Sequence, residues 1–249
     1  MSFRFTYWPH LVSLAALIVI WQAAAGLADS RVLPGPLAVF EALTISAGDG
    51  ELFHHVGITL ARVVVSFTLA MLIGVAIGIA MGRLKTFDRL FDAWLVLFLN
   101  LPALVTIILC YVWFGLIEAA AIVAVVLNKI PNVIVTVREG ARALDRDYLE
   151  MAQSFRIGRV KTLNHVVLPQ MFPYLIASAR SGLALIWKIV LVVELLGRSD
   201  GVGFQLHLFF QLFDVVNILA YTVAFTAVIL LIDLGILQPV ERRANAWRR

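Results

Sequence analysis

Apolar residues in this chain fall into long runs separated by few polar stretches. Runs of membrane-span length cover about 11–28, 56–82, 93–116, 119–137, 174–196 and 215–237. A helix needs about 20 apolar residues to cross the hydrocarbon layer. Backbone groups in lipid must satisfy one another, so such runs are read as helices. The pattern predicts an all-α, polytopic membrane protein: one transmembrane domain over residues 1–249, with six spans. Ala23-Ala24-Ala25-Gly26 at the end of the first run looks like a signal-peptidase site. The run is longer than a signal core and is preceded only by Arg4, so a retained first span is expected. Pro34-Gly35-Pro36 then breaks the chain, and Val39, Phe40 and Leu43 predict a short interfacial helix.

The one long polar interruption lies at 139–169. It is too long for a turn between packed helices. Tyr148, Leu149, Ala152 and Phe155 recur at helical spacing within it, so 147–155 is predicted to be a short amphipathic helix, capped by Asp145 or Asp147. The plain reading of such a helix is a solvated loop lying on the lipid headgroups. The sharper one is a knob for a separate soluble protein.

Inside the spans the polar positions are few. Ala70, Gly74, Gly78 and Gly82 repeat every four residues and predict a face for close helix packing, within the chain or against a second copy. Arg62 lies near the end of its span and is expected to snorkel. Asn100-Leu101-Pro102 predicts a kink in the third span. Asn128, Lys129, Pro131 and Asn132 interrupt the fourth, and Arg180, Trp187, Lys188 and Glu194 the fifth. Ionisable groups at such depth are costly and face a cavity or a partner. Asn100, Lys129, Asn132, Arg180, Trp187, Lys188 and Glu194 are therefore the candidate pathway residues. Pairing with Glu194, Asp233 or a helix C-terminus is the structural alternative for the three cations. The adjacent His54 and His55 have no other ligand types nearby and read as solvated, with no metal site.

Composition adds little to this pattern but fixes the class. The 249 residues are 61% hydrophobic with mean hydropathy +0.93, more than a soluble domain of this size needs. The single cysteine, Cys110, lies in an apolar run, which excludes a disulfide framework. The net charge of +4 is explained by topology rather than by a nucleic-acid partner. With the 139–169 segment placed inside, Arg4, the Arg83/Lys85/Arg89 loop, six residues from Arg138 to Lys161 and the arginines of the tail are all cytoplasmic. Only Arg31 and Arg198 fall outside, so both termini are expected in the cytoplasm. There is no Gly-x4-Gly-Lys-Ser/Thr loop and no His-Glu-x-x-His. No catalytic residue is assigned.

Glu150-Met151-Ala152, followed by Val166-Val167-Leu168-Pro169, resembles the Glu-Ala-Ala loop of bacterial ABC importer permeases, with the same distance to its terminal Leu-Pro. Leu33-Pro34-Gly35-Pro36, Thr59 to Val63, Trp113-Phe114-Gly115 with Glu118, Trp187-Lys188, Glu194 to Gly197 and Asp200 to Gly203 extend the resemblance to nearly the whole chain. The first of these is similar to the nitrate, sulfonate and taurine branch. The resemblance implies a type I importer fold in a bacterial inner membrane. It implies a second copy of the chain, two ABC ATPase subunits that hold ATP and magnesium, and a periplasmic substrate-binding protein. The amphipathic helix would be the coupling helix in a cleft of the ATPase. Carried onto this sequence, the coupling residues are Asp147, Tyr148, Leu149, Glu150, Met151, Ala152, Phe155, Arg156, Gly158, Leu168 and Pro169. Met151 and Arg156 depart from the family's Ala and Gly; Gly158 is expected to supply the permissive backbone for the turn. Lys129, Arg180 and Lys188 suit a small anion such as a sulfonate. The alternative is a transporter or channel driven by an ion gradient, with Lys129, Arg180, Lys188 and Glu194 as a relay. That transporter would need no ATPase.

Overall fold

The fold is taken from a computed structural model, which describes residues 8–28, 30 and 32–239. Arg4, Arg31 and the basic tail used in the orientation argument lie outside the described residues.

The described residues form helices and no strand. They are α1 (Trp8–Ala28), α2 (Pro36–Gly48), α3 (Glu51–Arg83), α4 (Lys85–Asn100), α5 (Ala103–Phe114) and α6 (Glu118–Arg142), then α7 (Arg146–Ser154), α8 (Arg159–Thr162), α9 (Leu168–Gly197), α10 (Val202–Gln211) and α11 (Val215–Ile232). Four stretches are long and apolar enough to cross a membrane: α3, α6, the run from Arg159 to Gly197, and Val215–Gly235. The pair α4 and α5 makes a fifth span if counted together. Before them comes α1, an apolar helix of 21 residues. The Trp21 indole N–H donates to the Pro34 carbonyl at 3.0 Å and ties it to the start of α2.

Packing follows the small residues. α3 and α6 run side by side, and a Cβ at Gly74 or Gly78 would lie 2.6 or 2.8 Å from the Cβ of Val133 or Val137. At Gly82 it would lie 2.5 Å from the Cβ of Ala141. The glycine face is therefore spent inside one subunit, against α6. It offers no support for a second copy. α9 packs against both α6 and α3, and Ile186, Trp187 and Val190 join Ile107, Tyr111 and Phe225 in the main core.

Three expectations change here. The third span is broken rather than kinked, with α4 and α5 meeting at 97°. Leu101 before Pro102 takes extended backbone (ψ 125°), as a residue preceding proline must, so the helix stops. The basic stretch 82–92 is mostly helical, because α4 starts at Lys85. The polar interruption is also shorter than 139–169. α6 runs on to Arg142, and α8 continues through a π-helical turn, Leu163–Val167, into α9. Leu168-Pro169 therefore opens α9 instead of ending a loop. Proline lacks an N–H that the first turn of a helix does not use, and the wider turn accommodates its ring.

Candidate functional site

The α7 helix is held at both ends by its own sequence. The Asp145 carboxylate accepts from the Asp147 N–H at 2.9 Å, the N-cap interaction, so of the two candidates Asp145 is the cap. At the other end Ile157 N–H donates to Ala152 O and Arg156 N–H to Gln153 O, both at 2.9 Å. These are the paired bonds of a Schellman cap, which requires a left-handed residue between them. That residue is Arg156, at φ 50°, where the family has glycine. Gly158 has φ −59° and supplies no such freedom, which corrects the sequence expectation.

The apolar stripe of α7 splits into two edges. Leu149 packs inward on Val137, Ala141, Leu144 and Met171, and Ala152 is 1% exposed. Tyr148, Met151 and Phe155 point outward, Phe155 with 77% exposure. Ala152 and Leu149 are thus seats of the helix on its own spans, not part of an outward surface. Asp147, Glu150 and Arg156 are exposed around that surface. Beside α7 lies a polar cleft of about 640 Å³ whose lining includes Arg83, Lys85, Asp88, Arg142 and Glu150. Arg142 pairs with Asp88 (2.5 Å) within its lining, and this pair with that of Arg138 and Asp92 (2.6 Å) clamps α4 to α6.

Only three of the pathway candidates share a cavity. Arg180, Trp187 and Lys188 of α9 line a space of about 540 Å³ against Thr222, Thr226 and Asp233. The last three recur on one face of the final span; their spacing was readable, but threonines in an apolar run carried no signal. Lys188 is exposed on the subunit about twenty residues into α9. A cation at that depth is costly against acyl chains, so this face belongs to water or to a protein partner. Lys129 is elsewhere: fully buried, with its Nζ bonded to nothing among the described residues and its stem against Gly182. Asn132 and Asn100 are exposed and bond only to the carbonyls of Asn128 and Val96 one turn back. Lys129 and Glu194 do not line this cavity, although Leu191 and Val202 beside Glu194 do, so the four relay candidates do not share it.

Glu194 belongs to a cluster that sequence reasoning missed. Arg62 is 4% exposed and does not snorkel. It donates to Glu118 (2.7 and 2.9 Å), to Glu194 (2.8 Å), and to the carboxylate and carbonyl of Asp200. Glu194, at 0% exposure, also accepts from Thr59 Oγ1 at 3.0 Å and from Gly203 N–H at 2.8 Å. His55 is buried as well, contrary to the solvated reading: its Nδ1 accepts from Gly201 N–H at 3.0 Å, while His54 is exposed. The first N–H groups of α10 are thus bound by side chains of α3 and α9. Gly201 at φ 100° and Gly203, whose Cβ would lie 2.2 Å from Leu191 O, allow that approach. Burial raises the Asp200 carboxyl, but hydrogen bonding to Arg62 and the charges of Arg62 and Arg198 outweigh it and hold it below the usual carboxylate range. This cluster sits at the ends of α3, α6 and α9 away from α7.

A bundle of membrane-length helices with a capped external helix on one face and a charged cavity in its wall defines a polytopic helical membrane protein. Residues 70–237 match the family of binding-protein-dependent transport system inner membrane components. The chain belongs to that family and is a permease subunit of an inner-membrane ABC transport system. It is 28% identical over 242 residues to the taurine transport system permease protein TauC of Escherichia coli (strain K12), covering 94% of this chain and 88% of that one. It is 29% identical to the putative aliphatic sulfonates transport permease protein SsuC of Bacillus subtilis (strain 168), over 98% of this chain and 89% of that one. The bicarbonate transport system permease protein CmpB of Synechococcus elongatus is 26% identical over 90% of this chain and 84% of its own length. The fold matches the inward-facing MetNI methionine ABC transporter at TM-score 0.64 and 18% identity, covering 78% of this chain and 98% of that chain. It also matches an amino acid ABC transporter crystallised with histidines, at TM-score 0.63 and 20% identity over 81% and 97%.

Proposed function

We propose that this permease couples to a separate ABC ATPase through α7 and conducts a small anionic solute of the sulfonate kind past the α9–α11 cavity. The observation that carries it is the outward edge of α7: two aromatic rings and a methionine on a helix fixed at both ends, beside a cleft rimmed with charge. Buried aromatics dominate contacts of this kind, and rim charges set orientation. ATP and magnesium are held by the ATPase, two copies of which serve a symmetric pair of this chain. A periplasmic binding protein delivers solute to the opposite face, near the Arg62 cluster. The pairing is supported by the family resemblance, since the glycine face is occupied by α6. The side carrying α7 is cytoplasmic, and both termini with it, by the bias of arginine and lysine. Arg180 and Lys188 supply positive charge and Trp187 a flat apolar wall to the cavity. The sulfonate and taurine relatives favour such a solute.

The test is co-purification of the ATPase with variants of α7. Tyr148→Ala with Phe155→Ala should lose the ATPase while the permease stays folded in the membrane. Retention of a stably bound ATPase by this double variant would make α7 a surface loop and not a coupling element. Ala152→Asp is the wrong probe, because it would place a charge under the helix and unseat it.

A further inference from the structure

The cleft beside α7 holds more positive charge than the fold uses. Its cations come from four helix ends: Arg83 closes α3, Lys85 opens α4, Arg142 closes α6 and Arg146 opens α7. Arg142 is paired with Asp88 and Glu139. Arg83, Lys85 and Arg146 are exposed and form no ion pair among the described residues. Asp88 and Glu150 are the carboxylates of the lining. Asp88 is taken by Arg138 and Arg142, which leaves Glu150 against three open cations. A cation helps a helix at its C-terminus, so Arg83 and Arg142 have a structural reason to stand where they do. Lys85 and Arg146 have none. Each is the first residue of its helix, where the backbone already carries partial positive charge.

Helix N-termini and converging cations hold phosphate oxygens, and arginine does so bidentately. The cleft has the size for a ligand: about 640 Å³ lies within the roughly 300–1,000 Å³ of small-molecule sites. Its larger apolar side chains, Met81, Leu144 and Leu149, are packed into the cores, so it offers no slot for an acyl chain. Tyr148, Met151 and Phe155 do not line it, so a protein seated on that edge of α7 leaves the cleft to a small ligand. We infer that this cleft binds a soluble anion of two or more charges, of the phosphate-ester or pyrophosphate class, between Arg83, Lys85 and Arg146. Bound there, the anion ties the first turn of α7 to the ends of α3 and α4, a junction that no ion pair bridges among the described residues. It would stiffen the helix on its spans. The inference rests on the proposed function only for what this regulates, the force passed through α7; binding itself is measured without an ATPase.

The purified permease in phosphatidylcholine nanodiscs is titrated with inorganic pyrophosphate, and with sodium chloride at matched ionic strength. Calorimetry should give one pyrophosphate per chain, and amide hydrogen exchange over Arg146–Ser154 should slow as the site fills. Chloride should reproduce neither effect. A hydrogen bond to a charged group is worth about tenfold in affinity, so Lys85→Gln/Arg146→Gln should bind about a hundredfold more weakly. Both residues are exposed and unpaired, so this variant should melt with wild type. Arg89→Gln removes an exposed cation of α4 outside the lining and should bind as wild type does. Equal slowing by chloride, unchanged binding in the double variant, or an equal loss in Arg89→Gln overturns the site. Slowing of α7 exchange in phosphatidylglycerol nanodiscs without pyrophosphate also overturns it, since a lipid headgroup would then be the occupant.

Discussion

Removing Arg62 should destabilise this permease more than any other single charge change, and the structure says why. In Arg62→Met, Asp200 and Glu118 have an escape: both are partly exposed, and Glu118 keeps Arg198 at 3.0 Å. Glu194 has none. It is 0% exposed and would retain only Thr59 and the Gly203 N–H. Breaking a buried pair so that one charge is stranded costs about 3–5 kcal/mol. Loss of an exposed pair, as in Glu118→Gln, costs about 1 kcal/mol or less. Adding Glu194→Gln to Arg62→Met removes the stranded charge while a neutral oxygen still accepts from Gly203, so the double variant should recover on the order of 2 kcal/mol. Cys110 is a built-in reporter, being the only cysteine and 1% exposed. Thermal unfolding followed by a thiol-reactive dye should show a midpoint roughly 10 °C lower for Arg62→Met, at about 2–4 °C per kcal/mol for a chain of this size. The midpoint of Glu118→Gln should stay within about 4 °C of wild type on the same scale. If Arg62→Met melts with wild type, or the double variant recovers nothing, the cluster does not hold these helix ends together.

Three further outcomes follow from the packing. Gly78→Leu should prevent α3 from seating on α6, because its Cβ already meets Val137; the variant should be degraded in cells or melt several kcal/mol early, as overpacked cores do. Arg156→Gly should raise the stability of the α7 segment by about 1 kcal/mol, read as slower hydrogen exchange there, since glycine occupies φ 50° without a Cβ penalty. Lys129→Met should melt no lower than wild type and still transport, because Nζ is buried without a partner away from the cavity; Lys188→Met should fold normally and lose uptake.

Much of this architecture was legible in the sequence because lipid leaves so few options. Runs of apolar residues pointed to the four membrane-length helices and to the α4–α5 pair, and Asp145 followed by an amphipathic turn located α7. What escaped reading had physical causes. Arg62 reads as a snorkelling residue when taken alone; its partners Glu118, Glu194 and Asp200 lie 56, 132 and 138 residues away. Ala152 and Tyr148 are neighbours on one stripe, and periodicity does not say which edge of a stripe turns inward. Lys129 and Lys188 are the same residue type at similar depth, yet Gly182 lets one be enclosed while the other stays in the open wall of α9. Arg156 carries a left-handed turn that composition would assign to Gly158, because only the bonding pattern shows where the helix stops.

The central claim is that force enters this chain from an ATPase through α7. It is tested most directly by solute uptake into proteoliposomes containing the permease alone or with its ATPase, with the binding protein and its solute outside. Uptake should require ATP and the ATPase, survive collapse of the ion gradients, and disappear in Tyr148→Ala/Phe155→Ala. Uptake by the permease alone, driven by an imposed ion gradient and indifferent to ATP, would contradict the account.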